Sequence, residues 1–177
     1  GVLGGAISRG IFKVGDKIEI KPGRKVERHG QTSWIPITTT ITSITSGNTA
    51  LTEKGPGGSV ALGTSLDMSI TKADSLVGNV VGHLGMLPQP LNAIVLEPHL
   101  FQFVVGTREK LKLEPFKQYE PLMINIGTAT TVGVIQSAGK MLKMTLRRPV
   151  IASKGDKVAL ARQVQARWHL IGYGIIK

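Results

Sequence analysis

Short runs rich in Val, Ile, Thr and Leu recur along the whole chain, and turn-forming residues separate them at intervals of roughly ten residues. In the run at 35–44, Ile35, Ile37 and Ile41 alternate with threonines, as in a half-buried strand. Similar runs occupy residues 17–21, 59–63, 122–126, 131–136, 141–146, 157–161 and 168–176. Many short strands with frequent turns predict an all-β fold of closed antiparallel barrels and disfavour a doubly wound sheet.

The segment Gly85-Met86-Leu87-Pro88-Gln89-Pro90 marks a boundary near the middle of the chain. Its two prolines disfavour both a helix and a central strand and stiffen the connection. We therefore predict two consecutive antiparallel β-barrels, one over residues 1–86 and one over residues 92–177, joined by a Pro-rich linker at 87–91. A barrel of about 85 residues is long enough to bury a core of its own.

Three local features refine this prediction. The best helical signal, at 107–111, is too short for a helix of consequence, and the polar segment 107–119 around it is predicted to cross the surface. The pairs Gly15-Asp16 and Gly155-Asp156 stand between predicted strands, so each predicts a tight turn, and the shared signature indicates two β-barrels of related design. Trp168 and Tyr173 share a strand at odd spacing, so either one of them faces inward or a bulge resets the alternation.

Basic residues exceed acidic ones by 22 to 11, which gives a formal net charge of +11. Residues 1–28 carry +4, residues 29–139 carry −1, and residues 140–177 carry +8, with nine cations against Asp156 alone. Such a concentration can focus a positive potential on one face, which favours a polyanionic partner such as nucleic acid. The alternative is charge that only keeps strand faces and turns solvated.

Motifs for catalysis and for metal or phosphate binding are missing from the sequence. There is no Cys, which excludes a disulfide scaffold and a Cys nucleophile, and the four His residues lack metal-ligand spacing. No P-loop motif occurs, and no Ser has a nucleophile context. No apolar run reaches the ~18–20 residues of a membrane span, and no signal peptide is present. We therefore expect a soluble, cytoplasmic, non-enzymatic chain with no metal, no cofactor and no membrane partner.

Several segments resemble one family in order along the whole chain. Residues 1–23, GVLGGAISRGIFKVGDKIEIKPG, resemble the opening of the second domain of translational GTPases, a family related to elongation factor Tu. The chain is similar in particular to the gamma subunit of archaeal and eukaryotic translation initiation factor two. Further matches are PGG at 56–58, GTSLD at 63–67, LRRPV at 146–150 and RQVQARWHLIGYG at 162–174. The short segment 107–119 resembles the archaeal rather than the eukaryotic version.

The resemblance implies two translation-factor β-barrels, the second and third domains, without the amino-terminal nucleotide domain. The start, which lacks Met and reads as the interior of a strand, agrees with a piece of a longer chain. In this family the whole subunit is a GTPase that binds GTP and Mg²⁺. Within a heterotrimer it carries methionylated initiator tRNA to the small ribosomal subunit. The beta subunit binds the nucleotide domain, so its site is expected to be missing here.

The resemblance also implies which residues make contacts. Gly4, Gly5 and Ala6 would lie at the pocket for the aminoacylated 3′ end of the tRNA, where absent side chains let a ligand approach the backbone; turn formation or packing is the alternative reason for these glycines. The candidates for contact with acceptor- or T-stem phosphates are Arg147, Arg148, Arg162, Arg167 and His169. The alpha subunit would dock on the loops at 9–17 and 67–74, with Lys13, Asp16, Lys72 and Asp74 as candidate contacts.

Two other interpretations stay open at this stage. The barrels could be a scaffold that positions the nucleotide domain and the alpha subunit while tRNA touches mainly the missing domain. The chain could also come from an elongation-type or selenocysteine-specific relative, which shares the opening motif but matches the ending at 167–174 less well.

Overall fold

The computed structural model describes residues 1–107 and 111–177, which form two compact units, Gly1–Leu87 and Pro88–Lys177. Antiparallel strands make up most of both units, so the all-β prediction is confirmed. Arg108, Glu109 and Lys110 of the helical signal at 107–111 lie outside the described residues. Among the described helices, none has the length and apolar character needed to cross a membrane.

The first unit has eight strands among its described elements: β1 (Val2–Ala6), β2 (Phe12–Lys13), β3 (Lys17–Arg28), β4 (Gln31–Ser46), β5 (Thr49–Leu51), β6 (Glu53–Lys54), β7 (Ser59–Thr64) and β8 (Val80–His83). They form a sheet with the strand order β1-β7-β4-β3-β8, with β5 added on β4, and a small β2–β6 ribbon. Between β7 and β8 lie the short helix α1 (Met68–Thr71) and a 3₁₀ turn, Lys72–Asp74. The alternating inward side chains pack into one core, whose members include Ile18, Ile41, Ile44, Val60 and Leu62.

Strand β3 continues beyond the run predicted at 17–21, through a bulge at Pro22 and Gly23. Ile20 pairs with Ile37 and Arg24 with Ile35, so three residues of β3 oppose one residue of β4. Gly23 has φ +98°, and a Cβ there would lie 1.8 Å from the Ile35 carbonyl oxygen, so only glycine fits. Past the bulge the two strands continue as a ribbon, which we call the β3–β4 arm (24–35), and no third strand among residues 1–107 and 111–177 pairs with it.

The second unit is a closed antiparallel barrel, as the sequence predicts. Its strands are β9 (Leu91–Leu100), β10 (Pro121–Ile126), β11 (Ala129–Ala138), β12 (Leu142–Val150), β13 (Lys157–Val164) and β14 (Arg167–Ile176), and the ring order is β10-β11-β12-β9-β14-β13. Fully buried side chains fill the ring, among them Leu96, Leu122, Ile124, Ile135, Leu142 and Leu160. A register shift in the β13–β14 ladder, opposite Ile171, resets the alternation, so Trp168 and Tyr173 are both exposed.

The two Gly-Asp turns have the same hydrogen bonds. Asp16 Oδ2 accepts from the Lys13 amide at 2.8 Å, and Asp156 Oδ2 accepts from the Ser153 amide at 2.8 Å. In each turn the Asp amide also donates back to the same residue's carbonyl, at 3.1 Å. The two predicted tight turns are confirmed, because each Asp carboxylate closes its turn by bonding a backbone amide.

Candidate functional site

The Gly4-Gly5-Ala6 segment lies in β1, which pairs with β7 at the end of the sheet path. All three residues are exposed, whereas Ile7 directly after them is buried. A Cβ built at Gly4 or Gly5 would meet no atom within 4 Å, and neither glycine has a positive φ. Neither backbone conformation nor packing inside this unit therefore requires glycine at these two positions.

At some other positions of the chain, close neighbours leave no room for a side chain, so glycine is required there. A Cβ at Gly133 would lie 2.6 Å from the Met144 methyl carbon, and one at Gly172 would lie 2.3 Å from the His99 carbonyl oxygen. Gly4 and Gly5, in contrast, carry no side chain on the exposed surface of β1, so the strand backbone is accessible there. Such a surface lets another molecule approach the strand closely.

The candidate basic residues of the second unit do not form a single patch. Arg147 lies near the carboxyl end of β12, and Arg167 lies at the start of β14. Strands β12 and β14 are both antiparallel to β9, which lies between them, so they run in the same direction. The two arginines therefore lie toward opposite ends of the barrel. The sequence suggested one positive face, and the structure divides these residues between two ends.

Arg162 is bound within its own unit. Its Nε and Nη2 contact the two Glu120 carboxylate oxygens at 2.5 and 3.0 Å, and Nη1 donates to the Glu114 carbonyl at 2.7 Å. The guanidinium also lies over the Phe116 ring, 5.1 Å from its centroid. Only 11% of the Arg162 side chain is exposed. In this arrangement the guanidinium holds the 114–120 segment against β13 and presents little surface to a phosphate.

Arg167 and His169 line a cleft of about 590 Å³ at the start of β14. Their cross-strand partners are Val164 and Arg162, and Gln165 and Gly106 also line the cleft. His169 Nδ1 lies 3.0 Å from the Val105 carbonyl oxygen, which can only accept, so Nδ1 is the donor. This end of the barrel combines an exposed cation with a cleft.

Arg147 and Arg148 differ in burial at the other end. Arg147 continues the outward row of β12, whereas Arg148 is half-buried and its amide donates to Thr131 Oγ1 at 3.0 Å. Burial lowers the pKa of the Arg148 guanidinium from its usual value. Arg147 is thus the better placed of the two for contact with a polyanion in solution.

Lys13 and Asp16 lie together in the turn before β3. Lys13 Nζ contacts Glu53 Oε2 at 3.2 Å across the β2–β6 ribbon, and Asp16 Oδ2 accepts from the Lys13 amide. His83 Nδ1 is 3.7 Å from that same Asp16 oxygen, and its Nε2 lies 3.1 Å from the Ile11 carbonyl. The His83 imidazole on β8 therefore holds the loop at 9–17 in place. The sequence alone did not indicate this contact.

Lys72 and Asp74 lie in the separate loop at 67–79, and both are exposed. Asp67 caps α1 by accepting from the Ser69 amide at 2.7 Å, and hydrogen bonds from Ser69 lower the pKa of its carboxyl group. Ala73 and Asp74 both have positive φ, 51° and 55°, which is strained for a residue with a side chain. Strain of this kind is common where a loop serves recognition.

Exposed apolar side chains accompany these two loops. Ile11, Val14 and Leu84 are 44–52% exposed around the first loop, and Met68 and Val77 are 66% and 58% exposed in the second. Apolar groups beside charged ones are what a protein–protein contact uses. In the part of the chain that the structure describes, no three His, Asp or Glu side chains lie close enough together to hold a metal ion.

Comparison with known proteins identifies relatives of the whole chain. The family model described as "Initiation factor eIF2 gamma, C terminal" matches residues 92–176. Translation initiation factor 2 subunit gamma of Methanocaldococcus jannaschii is 52% identical over 178 residues, covering 100% of this chain and 43% of that protein. The subunits of Methanothermobacter thermautotrophicus and Pyrococcus abyssi are 49% and 50% identical, with 100% of this chain and 44% and 43% of those proteins covered. The chain thus spans less than half the length of these relatives.

Proposed function

This chain belongs to the gamma-subunit family of translation initiation factor 2, and from that premise we propose that it forms the tRNA-binding and alpha-docking part of the factor. The assembled heterotrimer would bind methionylated initiator tRNA and deliver it to the small ribosomal subunit. This sequence has no P-loop, so GTP and Mg²⁺ would bind elsewhere in a full-length GTPase. The beta subunit would bind the nucleotide domain, as the family resemblance implies.

The observation that carries tRNA binding is the bare backbone of β1. Gly4 and Gly5 have neither a packing nor a conformational reason to be glycine within this unit, and both are exposed. A close approach by the aminoacylated 3′ end supplies the reason. A bulkier residue at Gly5 would weaken binding of methionylated initiator tRNA by the assembled factor while leaving the melting temperature unchanged.

In the second unit, Arg167 and His169 are the residues best placed to meet RNA phosphates. They line one cleft, and Arg167 is exposed. Contacts of this kind position an RNA without reading its sequence. Arg147 at the other barrel end would need a separate stretch of RNA.

Docking of the alpha subunit is a second proposed function, favoured by the loops at 9–17 and 67–79. Each loop combines exposed apolar side chains with candidate charged contacts, Lys13 and Asp16 in one and Lys72 and Asp74 in the other. The central apolar residues would be desolvated on docking, and the charges around them would set the orientation.

One observation favours a scaffold role for part of the second unit. Arg162 is engaged by Glu120 and by backbone carbonyls, so this arginine acts in folding rather than in RNA contact. The scaffold alternative predicts that removing Arg167 leaves tRNA affinity and its dependence on salt unchanged.

A further inference from the structure

The β3–β4 arm carries arginines on one face only. In an antiparallel ladder, residues directly opposite each other point to the same side. Arg24, Val26 and Arg28 therefore share a face with their partners Ile35, Ser33 and Gln31. We call this set the arginine face. Every member except the half-buried Val26 is exposed.

The other face of the arm is close to neutral. Lys25 and Glu27 lie there with their partners Trp34 and Thr32, and Lys25 Nζ forms an ion pair with Glu27. Arg24 and Arg28, in contrast, make no ion pair with any residue that the structure describes. The arm thus places two uncompensated guanidinium groups on a single exposed surface, and no other described strand pairs with this part of β3 or β4.

We propose that the arginine face binds the phosphate backbone of double-stranded RNA. Arg24 and Arg28 lie four residues apart on one strand, about 13 Å at roughly 3.3 Å per residue, so they reach separate phosphates. Guanidinium groups match phosphate oxygens with two parallel hydrogen bonds each, and Gln31, directly opposite Arg28, adds a neutral amide donor.

The distribution of aromatic residues favours a duplex over a single strand. Single-strand binding relies on bases that stack on aromatic side chains beside a basic groove. Trp34 of the arm lies on the face opposite the arginines, and His29 lies in the turn at its tip rather than on either strand. A surface of guanidinium and amide donors without an aromatic platform suits the backbone and 2′-hydroxyl contacts by which duplex RNA is recognised.

This proposal is independent of the proposed tRNA site, because the arm shares no residue with β1 or with the second unit. The experiment measures binding of the 177-residue chain to a perfectly paired RNA hairpin of arbitrary sequence over a range of salt concentrations. Arg24→Ala/Arg28→Ala should lower affinity roughly tenfold at low salt and reduce the log–log salt slope by about 1–2. Arg24→Lys/Arg28→Lys should keep the salt slope but lose part of the affinity for the RNA hairpin. Lys retains the positive charge but cannot donate two parallel hydrogen bonds to one phosphate.

The matched control removes the same charge from outside the arginine face. Lys25→Ala/Lys54→Ala should reduce the slope by much less than the arginine pair. An equal reduction would show that only net charge matters and would overturn the proposal.

A second test compares the RNA hairpin with an acidic peptide of equal charge. The proposal is overturned if the peptide binds as tightly as the hairpin with the same dependence on Arg24 and Arg28, since the surface would then fit an acidic protein. Thermal melting of each variant tests whether its substitutions leave the fold intact.

Discussion

Arg162 and Glu120 form a two-pronged ion pair across 42 residues of sequence, with Nε–Oε1 at 2.5 Å and Nη2–Oε2 at 3.0 Å. Both side chains are mostly buried, with 11% and 17% of their surface exposed. Glu120 Oε2 also accepts from the Lys117 amide at 3.0 Å. The pair thus connects β13 to the segment that leads into β10.

Arg162→Ala should lower the free energy of unfolding of the second unit by about 1–3 kcal/mol, because it leaves the Glu120 carboxylate desolvated and without its cation. Each unit contains one tryptophan, so urea unfolding followed by Trp168 fluorescence in a Trp34→Phe background reports on the second unit alone. The control is Arg147→Ala, an exposed arginine, which should change the value by less than about 0.5 kcal/mol. Equal losses in the two variants would contradict a structural role for Arg162.

A second prediction concerns the pH dependence of the first unit. Glu19 and Lys21 form a buried pair at 3.2 Å, and they bind the Leu87 amide and carbonyl at 2.8 and 3.1 Å. Burial alone would raise the pKa of the Glu19 carboxyl group. The Leu87 amide and the Lys21 ammonium outweigh burial, so the pKa lies below its ordinary value of 4.5.

A lowered pKa in the folded state means that ionised Glu19 stabilises the fold at pH values above its unfolded pKa. This stability is lost as the pH falls through the folded pKa. Glu19→Gln should cost about 3 kcal/mol at neutral pH, because it leaves buried Lys21 unpaired. The variant should also show a shallower loss of stability in acid than the unsubstituted chain. Urea unfolding between pH 7 and pH 3, followed by Trp34 fluorescence in a Trp168→Phe background, measures both effects; parallel curves would show that Glu19 does not contribute.

Docking of the alpha subunit can be tested without breaking the turn that holds Asp16. Asp16→Asn removes the charge but keeps an oxygen that accepts from the Lys13 amide, so the loop should stay folded. Its affinity for the alpha subunit, measured by calorimetry, should fall roughly five- to tenfold. The twin turn supplies the control, since Asp156→Asn makes the same change in the second unit. If both variants bind alpha as well as the unsubstituted protein, Asp16 is not a docking contact.

The two barrel ends should contribute differently to tRNA binding. Arg167→Ala should lower the affinity of the assembled factor for initiator tRNA and reduce the salt slope by about 1, because an exposed cation beside the cleft is lost. Arg162→Ala, corrected for any unfolded fraction, should leave the slope unchanged, since its guanidinium is already neutralised by Glu120. The reverse order of effects would mean that the Arg162–Glu120 pair opens to admit RNA.

Periodicity predicted most of the longer strands, because an inward side chain at every second residue is a local property. It missed β8 and also β9, which closes the ring between β12 and β14. It could not predict that β3 passes through Pro22 and Gly23, since the bulge depends on the close approach of Ile35 from the partner strand. The separation of Arg147 from Arg167 follows from the strand order of the closed ring, which a count of charges along the chain does not contain. The contact of His83 with Asp16 likewise joins residues far apart in sequence, so neither residue signals the other.

The family resemblance implies a set of candidate contact residues, and the geometry makes some of them stronger candidates than others. Gly4 and Gly5 are stronger candidates for contact with a ligand, because nothing inside the unit requires glycine at these positions. Arg162 is a weaker candidate for RNA contact, because its guanidinium already donates to Glu120 and to the Glu114 carbonyl. These distinctions depend on side-chain surroundings, which sequence similarity alone does not give.

The most direct test of tRNA binding at β1 is the affinity of the assembled factor for methionylated initiator tRNA when Gly5 is replaced by valine. The space around Gly5 is open, so Gly5→Val should fold normally, and the added side chain should lower the affinity at least tenfold by blocking close approach to the strand. Gly139→Val is the matched control, because Gly139 is also exposed with no atom within 4 Å of a built Cβ, and it should bind tRNA normally. A Gly5→Val factor that melts at the normal temperature and binds methionylated tRNA with unchanged affinity would contradict the proposed site.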